Sequence, residues 1–285
     1  MEHIFLNLKR FDIPTEYGGV NRLSPITDWG AYIVEKTKEP LKKYAQKGVE
    51  FAQFFPEAHL IPAVKTLGGD TGLHIGAQGV LRADTAVGGN FGAFTTGRTA
   101  NAVKALGCDY VIIGHCEERN NLKGIISEAN GTDLSSVDRI LNQEILCAQK
   151  AGLHVLYCIG ETSEEQPRWD EVLTAQLTNG LKDVDKRSVV IAYEPVWSIG
   201  PGKTPADKPY IEKVARLVKE VTGGMDVIYG GGLKSDNAEM LASIPEVDGG
   251  LIALTRFSGE IGFYPEEYLE IIDRYLKERR RDSEV

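Results

Sequence analysis

Short apolar runs recur along the chain, and each is followed by a stretch whose apolar positions fall at helical spacing. The runs predict strands over residues 4–8, 49–53, 73–77, 110–113, 154–158, 189–193, 227–229 and 250–253. The stretches between them predict amphipathic helices over 29–46, 58–66, 99–106, 135–151, 164–181, 206–221, 237–242 and 265–279. The segment ILNQEILCAQKAG is representative: its apolar residues share one helical face, and Gly152 supplies a C-terminal stop.

Apolar strands alternating with helices imply parallel strands joined by helical crossovers. Eight such repeats fit a closed (β/α)8 TIM barrel, for which about 250 residues is typical, better than an open sheet. No linker of biased composition interrupts the pattern, so residues 1–285 are expected to form a single domain. Three connections look longer than a simple turn, near 10–28, 117–134 and 255–267. Loops longer than about 12 residues within a compact domain are usually functional or interface elements.

Composition narrows the function classes. The net charge of −9 argues against nucleic acid or an anionic membrane as partner. No apolar run approaches the roughly 20 residues of a membrane span, and the N-terminal MEHIFLNLKRFD has no leader pattern. The four cysteines, at 108, 116, 147 and 158, show no C-x-x-C spacing, which predicts thiols in a reducing cytoplasm. The basic run at 277–281 falls where the last helix should end and complements its dipole.

In a barrel of this kind the chemistry sits at the C-terminal ends of the strands. Strand one delivers Asn7 and Lys9, strand four His115, strand six Glu194, and strand seven Gly230, Gly231 and Gly232. At these places the chain reads NLK, IIGHCEERN, AYEPVWSIGPGKT and YGGGLKSDNA, with GAQ at 76–78, GAFT at 92–95 and YCIGET at 157–162. In this order, over nearly the whole chain, these segments resemble the triosephosphate isomerase family. The GPGKT segment also echoes a P-loop, but that motif needs glycine at 197, which is Trp197.

The resemblance implies an aldose–ketose isomerase that moves a proton between neighbouring carbons of a small phosphorylated sugar, without metal or organic cofactor. Such a reaction needs a carboxylate base, an acid for the carbonyl oxygens, a cation beside the developing enediolate and the exclusion of water. By resemblance Glu194 is the base, His115 the electrophile and Lys9 the cation, with Asn7 as its companion and Glu117 in support. Triosephosphate isomerase is the reference case for a glutamate base beside a neutral histidine, so these roles rest partly on it. The segment 198–202 resembles the family's lid, in which the Gly200 amide contacts phosphate. Gly232 belongs to the phosphate loop, Cys158 and Glu161 to a supporting element, and Thr95 to the loop by which relatives form homodimers. The implied setting is glycolysis and gluconeogenesis in the cytoplasm.

Several positions depart from the family. Leu8 replaces an aromatic residue, Cys116 a serine, Glu118 an arginine and Gly232 a serine. Glu118 reads as a compensated swap. In the eighth loop Ala253 and Leu254 stand where a phosphate-gripping Gly-Gly is usual, and their side chains hinder close backbone approach to an anion. Arg256 lies nearby; it is either a bidentate anion grip or a surface residue of an extended loop. Three readings therefore stand at the level of sequence. The leading one interconverts dihydroxyacetone phosphate and glyceraldehyde 3-phosphate. A second keeps the chemistry but takes another ketose phosphate, such as a four-carbon one, and a third is a non-catalytic sugar-phosphate-binding paralogue.

Overall fold

The computed structural model describes residues 1–69, 72–199 and 203–283. Eight parallel strands close a barrel in chain order: β1 (Glu2–Asn7), β2 (Val49–Phe55), β3 (Leu73–Ala77), β4 (Tyr110–Ile113), β5 (His154–Ile159), β6 (Val189–Tyr193), β7 (Val227–Tyr229) and β8 (Gly249–Ile252). Closure comes from β1, which pairs with β2 through Phe5↔Ala52 and with β8 through Phe5↔Leu251. Around the barrel run α1 (Trp29–Ala45), α2 (Glu57–Leu67), α3 (Ala100–Ala105), α4 (Cys116–Glu128), α5 (Ser136–Lys150), α6 (Trp169–Gly180), α7 (Lys208–Thr222), α8 (Ala238–Ala242) and α9 (Pro265–Ser283).

Strands covered on both faces must be apolar at odd and even positions alike, which is why they read as continuous apolar runs. Phe5, Phe54, Tyr110, Ile112, Leu156, Val190, Ile228 and Leu251 form the inner cluster, and their strand neighbours Leu6, Phe55, Val111, Val155, Ile191 and Ile252 belong to the outer layer under the helices. At the N-terminal end a polar belt ties strands together: His3 meets Glu50 at 2.6 Å and Asp226 at 2.8 Å, and Tyr110 donates to Glu50 at 2.6 Å.

The three expected extensions differ in nature. The connection after β1 is built on its own contacts. Asp12 is fully buried, His59 lies 3.1 Å from its carboxylate, and Asn21 donates to the carbonyls of Asp12 and Ser24. The connection after β4 is not the expected long loop over 117–134. Most of it is α4, of which Arg119 is the one buried residue. Leu122 and Ile126 pack against the core only in part, so the helix leaves a weak apolar period to read. Arg119 donates to the carbonyls of Gly114 (3.0 Å) and Cys158 (3.0 Å), to Asp138 (2.7 Å) and to the Tyr157 hydroxyl (2.9 Å). Hydrogen bonds of a charged group each contribute about 1.5–3 kcal/mol, comparable with burying a large aliphatic side chain. The connection after β8 folds back through an antiparallel bridge, Arg256↔Gly262, before α9 begins at Pro265. It also meets the first extension, where Arg22 donates to the Ile261 carbonyl at 3.1 Å.

Candidate active site

The strand ends converge on the first turn of α4. Gly114 leaves β4 with φ +80, and a Cβ there would lie 2.9 Å from the Cys158 carbonyl, so the position suits glycine alone. His115 follows as the N-cap of α4. Its Nδ1 accepts the Glu117 amide at 3.3 Å. A nitrogen that accepts carries no proton, so the ring's hydrogen sits on Nε2. That nitrogen lies 3.1 Å from Glu194 Oε1.

Glu194 directly follows β6 and is 2% exposed. Its Oε2 accepts the Cys116 amide at 2.9 Å, at the positive end of α4. Burial raises its pKa above the ordinary carboxylate value, and the His115 ring, the Cys116 amide and the Lys9 charge offset part of that rise. A carboxylate made more basic by desolvation, beside an imidazole N–H donor, can remove and return a carbon-bound proton while a neighbouring oxygen is polarised.

Lys9 lies just beyond β1 in a left-handed conformation (φ 41), which is uncommon for a residue with a side chain. Asn7 Oδ1 accepts the Lys9 amide at 3.0 Å, and Gln78 Nε2 donates to the Lys9 carbonyl at 3.0 Å. The ammonium meets Glu117 Oε1 at 3.0 Å. Partial burial alone would raise the Glu117 pKa; the Lys9 bond and charge outweigh it and hold the carboxylate below its usual range. One helical turn thus reaches residues from three strand ends: Lys9, His115 and Glu194.

The other expected residues fall as follows. Asn7 is 5% exposed, and its carbonyl oxygen is engaged by the Lys9 amide. Gly232 has φ +100, a value that explains glycine in place of serine, and its carbonyl is held by Asn237 at 2.9 Å. Arg256 is occupied: it pairs with Glu267, and its guanidinium lies 3.8 Å from the Tyr264 ring centre. Gly200 lies outside the described residues. Sequence reasoning missed Gln78 and the Cys116 amide as parts of the site's framework. The GAQ segment carried a signal for the first; a backbone amide leaves none.

The segment that follows Glu194 is anchored as well. Trp197 donates to Glu161 Oε1 at 2.7 Å, and Tyr193 and Tyr210 donate to the same oxygen at 2.9 Å. Among the described residues, His115, Cys116 and Glu194 bring metal-type donor atoms within 4.8 Å of one another. Their geometry does not fit an ion. The Cys116 sulfur is 3.9 and 4.0 Å from the two ring nitrogens, which places it over the ring and off both lone pairs. Burial, assisted by the Glu194 charge, pushes the thiol up to about 12, far from the thiolate a metal needs.

A sequence profile described as triosephosphate isomerase matches residues 29–272. The chain belongs to the triosephosphate isomerase family. Curated relatives of that name include one from Pseudomonas entomophila, 34% identical over 236 residues, covering 78% of this chain and 86% of the relative. Another, from Prosthecochloris aestuarii, is 34% identical over 221 residues and covers 72% and 81%. The crystal structure of triosephosphate isomerase from Bartonella henselae matches with a TM-score of 0.72 at 26% identity, over 96% of this chain and 99% of that one. The profile match begins at α1, so β1 and the extension after it fall outside the profile, while the structural match covers 96% of the chain. Membership makes this protein an isomerase of the aldose–ketose type.

Proposed function

We propose that the protein interconverts dihydroxyacetone phosphate and glyceraldehyde 3-phosphate, the reaction named in its relatives, with Glu194, His115 and Lys9 as the working groups. The observation that carries this reading is the 3.1 Å approach of His115 Nε2 to Glu194, with Nδ1 tied to the Glu117 amide. Glu194 takes the proton from the carbon beside the carbonyl, giving an enediolate. His115 Nε2–H supports the oxygens as charge develops, and Lys9 stabilises that charge. Glu194 then returns the proton to the neighbouring carbon, while His115 Nε2 gives its proton to the former carbonyl oxygen and recovers one from the neighbouring hydroxyl, so the atoms rearrange with none gained or lost. Its carboxylate rests against the Cys116 amide and exchanges that partner for the substrate's C–H. The decisive experiment follows exchange of the substrate's carbon-bound hydrogen with solvent deuterium for the wild type, Glu194→Gln and His115→Ala. Exchange is expected to collapse in both variants with the fold intact; wild-type rates in both would refute the assignment.

The reaction would sit in glycolysis and gluconeogenesis, and the free thiols of Cys108, Cys116, Cys147 and Cys158 support a reducing, cytoplasmic setting. A homodimer is supported by the connection after β3, where Val87 and Phe91 are almost wholly exposed although apolar.

One observation favours a second substrate reading. The extensions after β1 and β8 join through Arg22 and Ile261, and Ala253 and Leu254 stand where relatives place glycines. By the family resemblance both features fall on the side of the mouth that would receive the anionic end, where a longer ketose phosphate would need a different shape. Steady-state comparison of three- and four-carbon ketose phosphates separates the two. A kcat/KM for triose phosphates near the diffusional ceiling of about 10⁸–10⁹ M⁻¹s⁻¹ selects the first.

A further inference from the structure

Gly114, the residue before His115, has both of its backbone polar groups held by side chains of α4. Arg119 takes its carbonyl at 3.0 Å, and Glu118 Oε2 takes its amide at 2.6 Å. Glu118 is where the family usually carries arginine, so this grip belongs to this chain. The charge of Glu118 has an unusual partner. Its carboxyl is hydrogen-bonded to the carboxyl of Glu144 on α5, which is 7% exposed. Two carboxylates cannot share a hydrogen bond without a proton between them. Glu144 Oε2 is also buried without a donor among the described groups.

We propose that Glu118 is a positioning residue for His115, and that the Glu118–Glu144 carboxyl pair does this work only while it holds one proton. The inference rests on His115 acting as the electrophile. With one proton, Glu118 keeps a full acceptor for the Gly114 amide while its other side is tied to α5, and β4, α4 and α5 are fixed around the histidine. Without that proton, two adjacent negative charges repel, and the tie to α5 that steadies the Glu118 grip on the Gly114 amide is lost. The groups facing the pair are Arg119, His115 and Cys158 around Glu118, Arg98 beside Gly79, and Arg82 and Cys147 around Glu144. Burial raises both carboxyls above their ordinary values, for Glu144 to about 9, so the proton is retained at neutral pH.

The test uses the full chain with a triose phosphate as substrate, measuring kcat and KM from about pH 6 to about pH 10. Displacing a catalytic group by about 1 Å costs up to a hundredfold. Glu118→Ala is therefore expected to lower kcat about ten- to a hundredfold with KM little changed. Glu118→Gln, whose amide oxygen still accepts from Gly114 and whose NH2 donates to Glu144, is expected to restore it. The wild type is expected to lose kcat on the alkaline side, and Glu144→Gln to remove that loss, because its amide donates without titrating. His115→Asn is the control. If it leaves turnover intact, the electrophile reading fails and this inference falls with it. If it abolishes turnover while Glu118→Ala keeps the wild-type kcat, the inference alone is overturned. Should Glu118→Ala not fold, the two glutamine variants decide: an alkaline loss identical to the wild type in both overturns the proposal, and its disappearance supports it.

Discussion

The Glu194 carboxylate accepts the amide hydrogen of Cys116 at 2.9 Å, so the base of β6 rests on the N-terminus of a helix that follows β4. The contact lowers its basicity, and burial raises it more. Removal of the charge therefore removes function without removing a structural support. Glu194→Gln keeps an oxygen acceptor for Cys116 and is expected to lower kcat by about a thousandfold, within the range for loss of a general base. Circular dichroism is expected to match the wild type. A loss below tenfold in a steady-state assay would place the base elsewhere.

Lys9 is the cation assigned to the proposed oxyanion end, and its partner Glu117 is largely exposed, so the pair can open towards an anionic substrate. Lys9→Met removes the charge and keeps the length. It is expected to reduce kcat/KM by about a hundredfold or more, as loss of a preorganised oxyanion-stabilising group does. Rising ionic strength should weaken the wild type more than the variant. Equal salt dependence in a stopped-flow comparison would show that Lys9 does not face the substrate.

Glu161 is fully buried, and its Oε1 accepts from Tyr193, Trp197 and Tyr210. Glu161→Ala strands these donors. Unsatisfied buried polar groups cost about 1–3 kcal/mol each, and neighbouring losses do not add fully. A loss of about 3–5 kcal/mol in urea-induced unfolding is expected. A loss under 1 kcal/mol would show that water replaces the carboxylate.

The Glu118–Glu144 pair also has a signature in stability. The folded pKa of Glu144 is raised from 4.5 to about 9. A raised carboxyl is easiest to accommodate below its unfolded value, and its contribution is lost as pH rises through the folded value. Between about pH 5 and about pH 9, the Tm of Glu144→Gln minus that of the wild type should therefore grow more positive. A difference that stays constant across that range, measured by calorimetry, would mean that the pair is not protonated in the folded protein.

The barrel was legible in the sequence because the strands are largely apolar on both faces and the crossovers carry apolar stripes. The element not read was α4. Its buried residue is Arg119, and Leu122 and Ile126, only partly buried, leave a weak period. Glu194 and His115 could be picked out as candidates because each sits next to a strand end inside a long, distinctive segment. Glu118 could not be paired with Glu144 from sequence, since the partners lie on different helices and carry the same charge. Arg256 shows the opposite limit. An arginine near an anion site suggested a grip, and only its pairing with Glu267 and Tyr264 showed where the guanidinium goes.

The first turn of α4 supplies an amide to Glu194, an amide to His115, a carboxylate to Lys9 and a carboxylate to Gly114. The four contacts therefore stand or fall together. A change that frays this one turn is expected to abolish turnover and to expose the Cys116 and Glu117 amides to hydrogen exchange in the same step. Turnover that persists while both amides exchange freely would show that the turn is not needed.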